Sequence, residues 1–255
     1  MDFKYRKMSK DLPTGQYEQR NLQFQIIWQI MLATTLKTPI ISIDCKKKEL
    51  IGNLYRAGKC YTKGQTKVYD HDYSYLADGK VIPHGIYDIQ RNEGYITIGN
   101  SHETADFICE NILWWWDSFG IHQYPNSDTI VILCDAGGGN SYRHYAFKKE
   151  LLDLAEIIGK NIVVCHYPPY ASKWNVIEHR LFAHVHRAIQ GVIFLDYGTV
   201  KRLIENTSTK TGLKVVARIV DKKYQIGIKI CKDQVDWKRI KMNTEIPKLS
   251  YTIAA

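Results

Sequence analysis

Two apolar runs of this chain end in the same way. Residues 40–44 read IISID and residues 129–135 read TIVILCD, so each closes on one carboxylate, Asp44 and Asp135. Each run has the β-branched, unbroken apolar character of a buried strand. If the two strands are neighbours, both acids emerge at one end of the sheet. Two close carboxylates repel, so they need a cation between them or must take up a proton. Oxygen ligands of this kind select hard divalent ions such as Mg²⁺ or Mn²⁺. A third acid, Glu178, falls in SKWNVIEHRLFAHVHRAI, residues 172–189, which reads as a helix with Ser172 as N-cap. Its core stripe is read as Trp174, Ile177, Leu181, Val185 and Ala188, and Glu178 borders that stripe. A half-buried Glu is costly unless it is paired or ligating. Three acids from two strands and one helix can hold two metal ions about 4 Å apart, which activate a water or hydroxyl on one side of a phosphate and stabilise the leaving oxygen on the other. The blander reading makes Asp44 and Asp135 turn or cap residues and pairs Glu178 on the surface with Arg180 or Lys173.

Other residues are candidates around these acids. AGGGN, residues 136–140, lacks the spacing and the Lys of a nucleotide-binding loop, and reads as a turn that lets a DNA backbone approach Asp135. Asn140 and Arg143 are then expected to face phosphate. Lys46 and Lys48 share one face of an extended chain just after Asp44 and are expected to contact DNA, against the alternative of a Lys-protected edge strand. His166 ends a third apolar run and is read as a group that orients phosphate or a metal-bound water. Three His on one helix invite a zinc reading, but only His179 and His186 share a face. The six Cys form no CxxC pair, and several sit in apolar runs, which fits reduced thiols in a cytosolic protein.

The elements that must carry these residues follow from periodicity. A polar arm over residues 1–22 precedes a helix over 23–36, whose apolar spacing is Phe24, Ile27, Ile30, Met31 and Leu32. After IISID, residues 46–58 read as a second strand leaving through a turn at Gly58, and residues 61–80 as a long inserted hairpin or loop. GIYDI and YITIG read as a hairpin, residues 103–119 as a helix capped by Ser101 or Thr104, residues 144–159 as an amphipathic helix ending at Gly159, and NIVVCHY as the third buried strand. VVARIV and QIGIKI in the tail read as a hairpin around Asp221 and Lys222. An initial antiparallel meander followed by alternating strands and helices predicts an α/β fold with a mixed sheet, here five-stranded, with helices on both faces and a basic C-terminal hairpin extension.

Composition bounds the function. Hydrophobic residues at 45% and charged residues at 24% exclude extended disorder and fibrous repeats. Net charge is +9, and the last 55 residues alone carry 13 basic and 5 acidic groups. A basic tail beside a near-neutral body suits a polyanionic partner. The 17 Tyr and 6 Trp leave flat surface for packing or for stacking on bases. The opening MDFKYRKMSK has no apolar core after its charges, so no signal peptide is expected, and Ile26–Leu36 is too short to span a bilayer.

PPYASKWNVIEHRLF resembles the third-acid motif of DDE transposases, with Asn175 three residues before Glu178, and is similar to the mariner-like superfamily. ISIDCKKKELIGN, VILCDAGGGNSYRH, VVCHYPPYASKWNVIEHRLFAHV and TSTKTGLKV resemble more closely the bacterial insertion-sequence transposases of the Rhodopirellula-type transposase DDE domain, the ISAzo group. The resemblance runs from about residue 16 to the C-terminus. It implies an RNase H-like catalytic core over 39–200, an N-terminal arm and helix over 1–38, and a basic extension over 201–255. It implies Asp44, Asp135 and Glu178 as the metal-binding catalytic triad, two Mg²⁺ ions (or Mn²⁺), and cleavage of element ends followed by joining to target DNA. Lys173 and Asn175 join the expected DNA contacts. A homo-oligomer on DNA, a cytoplasmic location and no membrane partner are also implied. Family members carry an N-terminal region expected to hold a helix-turn-helix, so this chain reads as truncated or as half of a split frame. The alternatives are a non-catalytic DNA-binding or dimerising remnant that regulates a full-length transposase, and a nuclease on RNA–DNA hybrids.

Overall fold

A computed structural model describes residues 19–169 and 171–255. The expected arm falls outside these residues up to position 18. The first helix, α1 (Arg20–Ala33), starts and ends about three residues earlier than its spacing predicts, and it buries Gln23, Ile26 and Ile27 while Trp28 and Leu32 stay exposed. Strands β1 (Ile40–Cys45), β2 (Glu49–Ile51), β3 (Gly79–Asp88) and β4 (Glu93–Gly99) follow. Then come α2 (Ala105–Trp115), a π-helical turn Trp116–Gly120, α3 (Ile121–Gln123), β5 (Thr129–Cys134), α4 (Tyr145–Ile158) and β6 (Asn161–His166). The chain closes with α5 (Ala183–Ile189), α6 (Tyr197–Glu205), β7 (Lys214–Val220), β8 (Ile240–Met242) and β9 (Ser250–Ile253).

Local chemistry explains the helix ends. Thr104 caps α2 by accepting the Phe107 N–H, and Gly159 ends α4 in the left-handed conformation at φ 62°. Of three consecutive tryptophans, Trp115 and Trp116 are buried, and Trp114 lies under the Arg218 guanidinium, 4.3 Å from its ring centre.

The sheet is mixed, as expected, but holds nine strands in the order β7-β4-β3-β1-β5-β6-β9-β8, with β2 paired to β3. Three of the four extra strands, β7, β8 and β9, come from the C-terminal segment, and the fourth is the short β2. The expected hairpin of VVARIV with QIGIKI does not form: β7 pairs in parallel with β4 across Glu93–Gly99, and residues 225–230 form no strand. The open edge of β4 explains this. Ile96 and Ile98 are fully buried only because Val215 and Ala217 of β7 extend that face. An unpaired β4 would leave both an apolar row and unsatisfied backbone groups at an edge.

Side chains alternate across β1 and β5. Ile41, Ile43, Ile130 and Ile132 pack with Trp115, Phe147 and Leu151 under α2 and α4. Ile40, Val131 and Leu133 face the other way, toward Ile27 of α1 and Tyr167. Farther along that second face, Ile96 and Ile98 meet Ile177, Leu181, Val185 and Ile204. Helices therefore cover both faces. Each of these fully buried apolar side chains contributes roughly 1.5–3 kcal/mol.

Candidate active site

The two aspartates converge because of register. β1 and β5 are parallel neighbours, and their last paired residues are Ile43 and Cys134. Asp44 and Asp135 are the next residues along each strand. They therefore leave adjacent strands at the carboxyl end of the sheet, on the same face. Both line a cleft of about 310 Å³ together with Arg143, Tyr142, Tyr167 and Asn175. Clefts outside the carboxyl ends of parallel strands are the usual sites in α/β sheets.

Each aspartate is held by an asparagine. Asn175 Nδ2 donates to Asp44 Oδ2 at 2.8 Å, and the Cys45 N–H donates to Oδ1 at 2.7 Å. The Asn175 carbonyl in turn accepts from the Ser42 hydroxyl at 3.1 Å. Asn140 Nδ2 and the Gly137 N–H donate to Asp135 Oδ1 at 3.0 and 3.2 Å. Burial pushes the Asp44 carboxyl up to about 8, and the Asp135 charge pushes the same way, with smaller contributions from Glu178 and Glu103.

Glu178 is half-buried and does not line the cleft. Its carboxyl is raised by burial, an effect opposed by His179 and Lys46 and reinforced by Asp135. The helix predicted from Ser172 is broken into pieces. A 3₁₀ turn spans Ser172–Trp174, and a π-helical turn spans Glu178–Phe182 before α5 begins. Trp174 leaves the expected core stripe and is 57% exposed, whereas Ile177, Leu181 and Val185 are buried as read. The reason is Asn175: its amide is buried against Asp44 and Ser42, which ties the chain to β1 before the helix can start. Gly85, the register partner of Asp44, lets this segment approach the sheet. A Cβ there would lie 2.5 Å from the Phe182 ring.

Several residues expected to contact DNA have partners within the protein. Lys46 is 8% exposed and paired with Glu49 at 2.8 Å. Asn140 and Asn175 are buried, each donating to an aspartate. His166 is fully buried, with Nδ1 3.2 Å from the Leu249 carbonyl and Nε2 3.0 Å from the Asn140 carbonyl. It does not line the cleft, and meets it through Asn140 and through the ring of Tyr142, 6.1 Å away between ring centres. Burial holds its pKa down to about 4, so the neutral ring donates to one carbonyl at a time. Lys48, Arg143 and Lys173 are exposed, and of these Arg143 lines the cleft.

Sequence reasoning missed a fourth acid. Glu103 precedes the Thr104 cap and reaches the rim from the α2 side. It accepts from the Cys45 thiol and the Gly139 N–H, and its raised carboxyl senses Asp135. No signal near Glu103 in the sequence marks it, because Cys45 and Gly139 reach it from two other elements. Among the described residues, no three His, Cys, Asp or Glu side chains stand close enough together to enclose a metal ion. The acids converge without closing, and Asp44 and Asp135 remain bonded to their asparagines.

One consequence concerns Asn175. Replacing it by Ala leaves the Ser42 hydroxyl without its partner and removes a hydrogen bond to the Asp44 carboxyl. We expect a stability loss of about 1–3 kcal/mol in thermal or urea unfolding. An unfolding midpoint equal to wild type in Asn175→Ala would remove Asn175 from any role in holding Asp44.

This arrangement of strands and helices is that of an RNase H-like core. The Mos1 transposase paired-end complex with left transposon end is similar at TM-score 0.54 and 16% identity, over 78% of this chain and 57% of that one. The Mos1 mariner paired-end complex with Mn is similar at TM-score 0.52 and 16% identity, over the same shares of each chain. The catalytic domain of Mos1 mariner transposase is similar at TM-score 0.50 and 14% identity, over 77% of this chain and 82% of that one. The chain thus spans about 57% of the length of the Mos1 transposase chains in those complexes. At these identities the likeness shows the fold. Residues 1–255 match the Rhodopirellula transposase DDE domain, and the chain belongs to that family. No curated protein matches it. Among the described residues, no helix is long and apolar enough to cross a membrane.

Proposed function

We propose that this chain is the phosphoryl-transfer domain of a transposase, which cleaves DNA at element ends and joins them to target DNA. The observation that carries the reading is the pairing of Asp44 and Asp135 at the ends of adjacent parallel strands, lining one cleft. The donor set fits a hard divalent cation: carboxylate oxygens, with one carboxyl driven up to about 8 by burial and by its neighbour's charge. Asp44 and Asp135 would hold the ions, with Glu178 completing the set from the π-helical turn. Mg²⁺ or Mn²⁺ bound there would supply Lewis-acid activation of the attacking oxygen and stabilisation of the leaving one.

The chain's own groups do the positioning. Asn175 and the Cys45 N–H orient Asp44, while Asn140 and the Gly137 N–H orient Asp135. Arg143, exposed at the cleft, would hold a phosphate of the strand being cut. Lys48 and Lys173 would add backbone contacts that carry no sequence information. The expected partners are element ends, target DNA and a second copy of the chain. The domain boundaries at 38 and 200 belong to the same proposal, with the C-terminal segment contributing sheet strands rather than a separate hairpin.

The test incubates the full chain with element-end DNA in Mg²⁺ and in Ca²⁺. Cleavage in Mg²⁺ with binding but no cleavage in Ca²⁺ is the expected result. Equal binding in both ions with no cleavage in Mg²⁺ or Mn²⁺ would leave the regulatory remnant as the reading.

A further inference from the structure

We propose that the segment between β2 and β3 is a stacking platform for unpaired DNA strands beside the acid cluster; this rests on the DNA-processing reading above. From Leu54 to Tyr69 the chain carries four basic residues and no acid. Lys59, Lys63 and Lys67 are exposed. The acids of the segment come later, and Asp70 and Asp72 are engaged within the protein.

Five tyrosines stand out from the same segment. Tyr55, Tyr69, Tyr73 and Tyr75 are between 46% and 75% exposed, and Tyr61 is fully exposed. Tyr69, Tyr73 and Tyr75 form a ladder with ring centres 6.1 Å apart at each step. Large exposed rings are costly to keep in water without a partner. Flat rings interleaved with Lys fit a strand whose bases are free to stack and whose phosphates need cations. A duplex offers only base edges in its grooves, so stacking of this kind selects unpaired DNA. A reaction that opens strands at element ends produces such DNA.

The neck of the segment is built to hold the platform in place. The Tyr55 N–H donates to the Tyr69 carbonyl at 2.7 Å, and the Tyr69 N–H to the Asn53 carbonyl at 3.0 Å. Arg56 stacks 3.5 Å from the Phe194 ring centre, donates to the Leu50 and Val192 carbonyls, and pairs with Glu49. Glu49 also binds Lys46, whose charge is felt by Glu178. Two consecutive ion pairs, Arg56 with Glu49 and Glu49 with Lys46, thereby tie the platform to the segment that follows Asp44 at the end of β1.

The test measures binding of the full chain in Ca²⁺ to a labelled blunt duplex and to the same duplex carrying an oligothymidine arm. The wild-type chain is expected to bind the armed DNA more tightly. Tyr61→Ala with Tyr75→Ala should weaken that binding by about tenfold for each ring removed, with the blunt duplex unaffected, and Tyr→Phe at both positions should restore it. Equal loss on both DNAs would overturn the proposal. So would unchanged DNA affinity with lost self-association in light scattering, which would make the segment a protein interface. A chain that cuts duplex in Mg²⁺ yet shows no preference for the arm would overturn the platform and keep the transfer reading. Failure to bind either DNA would overturn both.

Discussion

Asp135→Asn is expected to abolish metal-dependent DNA cleavage while leaving the fold intact. The substitution keeps the shape of the side chain and an oxygen where the Asn140 amide and the Gly137 N–H donate. It removes one negative charge from the cleft that Asp135 shares with Asp44. A divalent ion loses much of its affinity when an anionic ligand becomes neutral, and with it several kcal/mol of transition-state stabilisation. The rate should fall on the order of 10³-fold or more. Single-turnover cleavage in Mg²⁺ measures this, with circular dichroism as the check on folding. Cleavage near the wild-type rate would remove Asp135 from the chemistry and with it the proposed function.

Asp44→Asn is expected to stabilise the metal-free protein as strongly as it damages the reaction. The Asp44 carboxyl sits at about 8 in the folded chain, against 3.8 in the unfolded one. Between those values the folded state holds a proton that the unfolded state has released. The folded state binds more protons there, so stability falls as pH rises from about 4 to about 8. Below that window both states are protonated and Asp44 imposes no penalty; above it the penalty is complete, on the order of 3–5 kcal/mol. An amide has no proton to lose and little repulsion with Asp135. It keeps both bonds when the Asn175 amide turns over, the Asn175 oxygen accepting from the new NH₂ group and the Asn175 nitrogen donating to the Ser42 hydroxyl. The variant should therefore melt on the order of 10 °C higher than wild type at pH 8, with the gap closing toward pH 4. Mg²⁺ should raise the wild-type melting temperature at pH 8 and leave Asp44→Asn nearly unmoved. Parallel pH profiles for the two proteins would show that Asp44 is not held against its charge. Glu178 and Glu103 also have raised carboxyls and stay in both proteins, so the difference between the profiles isolates Asp44.

Much of this site was legible one residue at a time. IISID and TIVILCD carry their own strand signal, and an acid after each run marks where the strand meets solvent. The cap at Thr104 and the turn at Gly159 follow from backbone chemistry within four residues. The half-buried position of Glu178 followed from apolar spacing, although the helix beneath it is interrupted by a π-helical turn. The burial of Lys46 and Asn140 was not legible, because an extended chain and a Gly-rich turn look exposed. Their burial depends on Glu49 and Asp135, residues whose placement a local pattern does not describe. Glu103 escaped because nothing near it in sequence says that Cys45 and Gly139 arrive from two other elements.

By itself the sequence determined β1, the hairpin of β3 and β4, β5, β6, α2 and α4, which faces of these are apolar, and that the two aspartates end buried strands. Those properties depend on neighbours within a turn or two, where periodicity and capping act directly. Only the tertiary structure decided that β7 joins β4 in parallel, that Asn175 and Asn140 each hold an aspartate, and that Glu103 shares the rim. Pairing between distant segments is chosen by which sheet edge is open and which buried donor lacks an acceptor. That choice belongs to the assembled core, where an unsatisfied edge or a lone buried charge costs more than any local propensity can return.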